Sequence, residues 1–122
     1  MKGRILIVDD ELSLAETIAE LLDDVGYAVS TALDGRAGLE RLALARADLV
    51  LMDLMMPVMD GSTMLRTMRQ HGELATIPVV MMTAVPEALP RDDPPLYQGA
   101  LVKPFQPDAL FRLIDRLLLP PS

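Results

Sequence analysis

The chain has 122 residues, no cysteine, 3% aromatic residues and a formal net charge of −7. That length holds one domain with one full core, and the lack of cysteine excludes disulfides, thiolate metal sites and cysteine nucleophiles. The acidic balance and scarce aromatic rings argue against nucleic-acid binding by this domain itself, and no apolar run approaches the roughly 20 residues that span a bilayer.

Residues 4–10, RILIVDD, form a continuous apolar run ending in two acids, the pattern of a strand buried on both faces. Asp9, Asp10 and Glu11 cut that run short, so it is no signal peptide, and a cytoplasmic location is expected. Ser13 and Glu16 have capping-box spacing. Leu14, Ala15, Ile18, Leu21, Leu22 and Val25 follow at helical spacing up to Gly26, a C-terminal stop. Residues 27–33, YAVSTAL, read as an outer strand. Asp34 then caps a short helix carrying Leu39, Leu42 and Ala43. Residues 47–53, ADLVLMD, give a third strand. A loop with Pro57, Asp60 and Gly61 leads to a helix from about Ser62 to Gln70, with Met64, Leu65 and Met68 inward. Residues 77–84 and 99–103 supply the fourth and fifth strands. Pro107 suits the first position of a final helix striped with Leu110, Leu113, Ile114 and Leu117, and Pro120-Pro121 ends it.

One crossover is in doubt. Pro86, Pro90, Pro94 and Pro95 lie between the fourth and fifth strands, and an interior proline costs a helix about 3 kcal/mol. At most one or two isolated turns fit there. The segment 85–98 is expected to be irregular or mobile, with few buried apolar contacts.

Strands alternating with helices imply a parallel sheet with helices on both faces and right-handed crossovers. Asp9, Asp10, Asp53, Thr83 and Lys103 each end an apolar run. They fall at the carboxyl edge of the sheet, where open α/β folds bind ligands. Three carboxylates facing one lysine make an acidic pocket that calls for a divalent cation.

VDDE at 8–11, LMDLMMPVMDG at 51–61, Thr83 in MMTA and LVKPF at 101–105 carry a resemblance. With them the chain resembles the receiver domain of two-component response regulators, over nearly its whole length. The resemblance implies one receiver domain over 1–122. Its fold would be a flavodoxin-like doubly wound five-stranded sheet, strand order 2-1-3-4-5, here with a degenerate fourth helix. It implies that Asp53 accepts a phosphoryl group from a sensor histidine kinase or phosphotransfer protein. Asp9 and Asp10 would hold Mg2+ together with Asp53 and the backbone carbonyl of Met55, an oxygen set that suits this cation. Lys103 would pair with Asp53 and then with a phosphoryl oxygen, and Thr83 would donate its hydroxyl to another. Lys103-Pro104 would be cis, and Gly61 would serve the sharp turn after the phosphorylation loop. Such a domain is no enzyme on an external substrate. It would control a downstream effector or pair as a homodimer, with no membrane contact. The alternative reading is a receiver-like interaction module that acts without phosphorylation.

Two rivals fit poorly. An aspartyl-phosphate phosphatase of the haloacid-dehalogenase kind would want an acid two residues after the nucleophile, where Met55 stands. A flavin mononucleotide carrier would want hydroxyls and glycines after the first strand, where Asp9, Asp10 and Glu11 repel phosphate. The family commonly has an aromatic three residues before its lysine, and here that position is Ala100. His71, the one histidine, reads as a surface residue.

Overall fold

The computed structural model describes residues 2–118. In chain order these form β1 (Arg4–Val8), α1 (Leu12–Asp24), β2 (Ala28–Ala32), α2 (Gly35–Leu44), β3 (Leu49–Asp53) and α3 (Gly61–Gln70). Then come β4 (Val79–Thr83), a 3-10 turn (Pro86–Ala88), β5 (Gly99–Val102) and α4 (Pro107–Leu118). The strands are parallel and ordered β2-β1-β3-β4-β5, the expected doubly wound topology.

Strand side chains alternate between two faces, and each face has its own core. Ile5, Ile7, Leu49, Leu51, Val80 and Met82 meet α1 and α4 through Ile18, Leu22, Leu110 and Ile114. Leu6, Val8, Val50, Met52, Val79 and Met81 meet α2 and α3 through Leu42, Met64, Leu65 and Met68. β3 and β4 are buried at every position, which is why they read as unbroken apolar runs. No described helix is long and apolar enough to cross a membrane.

Helix ends follow local chemistry with one exception. Gly26 takes a φ of +103° and stops α1 as its position suggested. Asp34 caps α2, accepting from the Ala37 N–H at 2.9 Å. Asp60 caps α3, accepting from the Thr63 N–H at 2.8 Å, so that helix starts at Gly61. The capping box of Ser13 and Glu16 does not form. α1 begins at Leu12 with Glu11 at its N-cap, and no side chain caps it. The Glu11 N–H instead donates to Asp9 Oδ1 at 2.9 Å, which turns the chain into the helix ahead of Ser13. Pro120 and Pro121 lie outside the described residues.

Segment 85–98 is irregular as expected, with the single 3-10 turn as its only regular element. None of its residues is fully buried, yet the segment is anchored at several points. Leu89, Leu96 and Tyr97 pack on the core beside α3. Arg66 grips Asp92 with two hydrogen bonds of 3.0 and 3.2 Å. Arg69 donates to the Leu96 carbonyl at 2.9 Å and to Gln98 Oε1 at 3.0 Å. The prolines removed a helix but left hydrophobic side chains free to dock. Lys103-Pro104 is cis, and so is Asp93-Pro94.

Candidate functional site at the carboxyl edge of the sheet

Strand order reverses at the β1/β3 junction, where open sheets leave a crevice. Backbone hydrogen bonds fix the strand ends there. The Asp9 N–H donates to the Ala32 carbonyl at 3.0 Å, that of Leu54 to Met82 at 3.0 Å, and that of Lys103 to Thr83 at 2.8 Å. Three independent strand ends are thereby held in register.

Carboxylate oxygens of Asp9, Asp10 and Asp53 all lie within 4.8 Å of one another. Asp9 is fully buried, Asp53 is 8% exposed, and Asp10 faces solvent. Lys103 reaches into the cluster. Its Nζ lies 2.9 Å from Asp9 Oδ2 and 3.4 Å from Asp53 Oδ1. The lysine therefore bridges two acids and sits closer to Asp9, where the resemblance implied Asp53 alone. Both Asp9 oxygens are engaged, one by Lys103 and one by the Glu11 N–H. That leaves Asp53 and Asp10 as the freer donors.

Burial first, and then the Asp9 charge, push the Asp53 carboxyl from 3.8 up to about 6, against the pull of Lys103. Burial disfavours the Lys103 ammonium too. Hydrogen bonding and attraction from Asp9, with Asp53 adding to them, outweigh it and hold the lysine above its ordinary range. The Asp9 carboxylate thus contributes to both shifts, repelling the Asp53 charge and attracting that of Lys103, while burial raises the acid and opposes the rise of the base.

Thr83 is 3% exposed. Its Oγ1 accepts from the Val85 N–H at 2.9 Å. A hydroxyl that accepts in this way still has its proton to donate. Met55 follows on the loop after Asp53 and is 60% exposed.

Gly61 closes the loop after Asp53. It has no positive φ. Its N–H donates to the Leu54 carbonyl at 2.8 Å, and a Cβ there would lie 2.3 Å from the Asp53 carbonyl oxygen. Within that turn the glycine serves the close approach to the Asp53 backbone.

The sequence profile of the response regulator receiver domain matches residues 5–115. The chain belongs to that family. This receiver domain is 40% identical over 114 residues to the transcriptional regulatory protein DltR of Streptococcus agalactiae, covering 91% of this chain and 50% of that protein. It is 38% identical over 120 residues to the probable transcriptional regulator ycf27 of Cyanophora paradoxa, covering 96% and 48%. The chain thus spans about half the length of the curated relatives it matches. Among solved structures it resembles the chemotaxis response regulator CheY4 of Vibrio cholerae, with TM-score 0.87, 35% identity and coverage of 95% and 98%. It also resembles the receiver domain of a sensor histidine kinase from Pseudomonas aeruginosa, with TM-score 0.82, 29% identity and coverage of 95% and 97%. That protein has a magnesium ion coordinated in its active site cleft.

The position three before Lys103, where the resemblance implies an aromatic, lies away from the acidic site residues. Ala100 is exposed on β5, with no ring in its place. Tyr97 lies just before β5, half-buried against the α3 face. Sequence reasoning missed Asp60 as the N-cap of α3. The signal was present: Asp34-Gly35 and Asp60-Gly61 are the same pair, an N-cap aspartate followed by a glycine at the first helical position.

Proposed function

We propose that this receiver domain accepts a phosphoryl group on Asp53, from a sensor histidine kinase or a phosphotransfer protein, and thereby controls an effector. The observation that carries the reading is the convergence of Asp9, Asp10 and Asp53 on Lys103 at one sheet edge. A carboxylate oxygen of Asp53 attacks phosphorus. The new P–O bond replaces the P–N bond of a phosphohistidine, and the departing imidazole keeps the electron pair and takes up a proton. With its carboxyl pushed up to about 6, Asp53 is mostly ionised at neutral pH and able to attack.

Three carboxylates against one ammonium leave the cluster with excess negative charge and an all-oxygen donor set. Asp10 opens it to water. That composition fits Mg2+, which favours oxygen ligands and keeps several waters. Asp10, Asp53, Asp9 and the Met55 carbonyl would hold the ion. When bound it supplies positive charge against the incoming phosphoryl oxygens and relieves repulsion among the acids. Lys103 stabilises a phosphoryl oxygen at Asp53, and Thr83 donates its hydroxyl proton to another. The chemistry takes place on the domain's own side chain, so no external substrate is turned over. One receiver domain over 1–122, a cytoplasmic location and control of an effector or a second copy go with this reading.

The test is incubation with acetyl phosphate and Mg2+, followed by intact mass. Wild type should gain one phosphoryl group and Asp53→Asn none. Equal labelling of both would overturn the assignment.

A further inference from the structure

Residues 54–60, the loop after Asp53, contain a backbone anomaly. Val58 has a φ of +67°. The Met59 N–H donates to the Pro57 carbonyl at 2.7 Å, across that single residue. Together these make a γ-turn of the positive-φ kind, which is rare and strained. A β-branched residue is the wrong side chain for it. Val58 is 77% exposed, so burial gives nothing in return. Strain of this sort persists only where the surroundings over-determine it.

Two glycines form those surroundings. At the base of the loop the Gly61 N–H donates to the Leu54 carbonyl at 2.8 Å. At the far side the Gly35 N–H donates to the Met59 carbonyl at 2.9 Å. Gly35 is the first residue of α2, and its N–H is one of the donors that a helix start leaves unpaired. The Asp34 carboxylate takes the Ala37 N–H and its carbonyl takes the Gly38 N–H, so the helix start is fixed. A Cβ on Gly35 would lie 2.8 Å from the Met59 carbonyl oxygen, 2.9 Å from Met59 Cγ and 3.1 Å from Met64 Cβ. Backbone cannot yield as a flexible side-chain tip does. Gly35 has no positive φ, so it is glycine for the approach and not for its own conformation.

We propose that Gly35 is a positioning residue for the acidic site. It clamps Met59, holds the strained turn at Val58, and so fixes the loop on which Met55 follows Asp53. The inference rests on the reading that Mg2+ binds Asp9, Asp10, Asp53 and the Met55 carbonyl. The clamp then favours metal binding, and by reciprocity the metal favours the clamp.

Mg2+ is titrated calorimetrically into wild type, Gly35→Ala, Gly38→Ala and the double variant Gly35→Ala with Val58→Gly. Melting temperatures are taken in chelator. Gly38→Ala is the structural control, because the nearest atoms to its Cβ would be those of the Met64 and Val8 side chains, at 2.8–3.0 Å. Gly35→Ala should weaken Mg2+ binding at least tenfold. Gly38→Ala should lower the melting temperature and leave Mg2+ affinity within threefold of wild type. Val58→Gly should restore most of the affinity lost in Gly35→Ala, because a relaxed turn needs no clamp. Unchanged affinity in Gly35→Ala, or a loss that Val58→Gly does not restore, overturns the clamp alone. Failure of wild type to bind Mg2+ overturns the underlying reading and the clamp with it. Should Gly35→Ala not fold, amide exchange in wild type decides. The Gly35 N–H should exchange at least tenfold more slowly with saturating Mg2+, and an unchanged rate overturns the clamp.

Discussion

Asp53 carries a charge that the fold works against. Its carboxyl titrates at about 6 in the folded protein, because burial and Asp9 both disfavour the ionised form. A raised acid pKa means that the folded state binds the proton more tightly than the unfolded chain does. The ionised group is then a stability cost: absent below about pH 4, growing between 4 and 6, and complete above 6. A shift of about two units corresponds to roughly 2–3 kcal/mol. Asp53→Asn should therefore raise stability at pH 7.5 by roughly 1–3 kcal/mol in chelator, with the gain vanishing near pH 4. Lys103 is not orphaned by this change, because Asp9 Oδ2 still holds it at 2.9 Å. Melting curves of both proteins at the two pH values are the check. A gain that is the same at pH 4 and pH 7.5 would show that charge is not its source.

At the scale of elements, the segment between β4 and β5 separates two kinds of arginine. Arg66 is half exposed and its partner Asp92 is 28% exposed, so their ion pair is worth about 1 kcal/mol or less. Arg69 is pushed below its ordinary pKa range by burial. It donates to the carbonyls of Leu96, Leu74, Ala75 and Ile77 and to Gln98 Oε1. Gln98 Oε1 also takes the Val79 N–H at 2.8 Å, which ties the same network to the start of β4. Arg69→Ala strands these acceptors and should cost on the order of 2–4 kcal/mol. Arg66→Ala should cost about 1 kcal/mol or less. Urea denaturation of the two variants decides, and equal losses would refute the division of labour. The prolines of 85–98 were legible in the sequence because their effect is local. The Arg69 network was not, because its acceptors are spread over residues 74–98 and meet only after folding. The start of α1 failed for a related reason. Ser13 and Glu16 match a local pattern, but the Asp9 carboxylate had already turned the chain.

Across the whole molecule, the topology was legible because fully buried parallel strands are continuous apolar runs and each run stops at a polar residue. Asp9, Asp53, Thr83 and Lys103 could be assigned to one edge from that rule alone. What the rule could not give is the pairing within the edge, where Lys103 bridges Asp9 and Asp53 at 2.9 and 3.4 Å. The protein also carries a net charge of −7, so cations stabilise it in two ways that must be told apart. Screening acts on every exposed charge and depends on ionic strength alone. A bound Mg2+ acts at one place and stabilises the folded state by mass action, by about 2.7 kcal/mol at a hundredfold excess over Kd. On the proposed reading, Mg2+ should raise the melting temperature by several degrees beyond sodium chloride of equal ionic strength. Asp10→Ala removes the solvent-facing acid of the cluster and should abolish most of that excess. It should leave the response to sodium chloride nearly intact, since one charge of many is lost. Scanning calorimetry in chelator, in sodium chloride and in Mg2+ measures each contribution. An Mg2+ effect no larger than that of sodium chloride, or one that survives intact in Asp10→Ala, would place the cation elsewhere on the acidic surface and remove it from the site at Asp53.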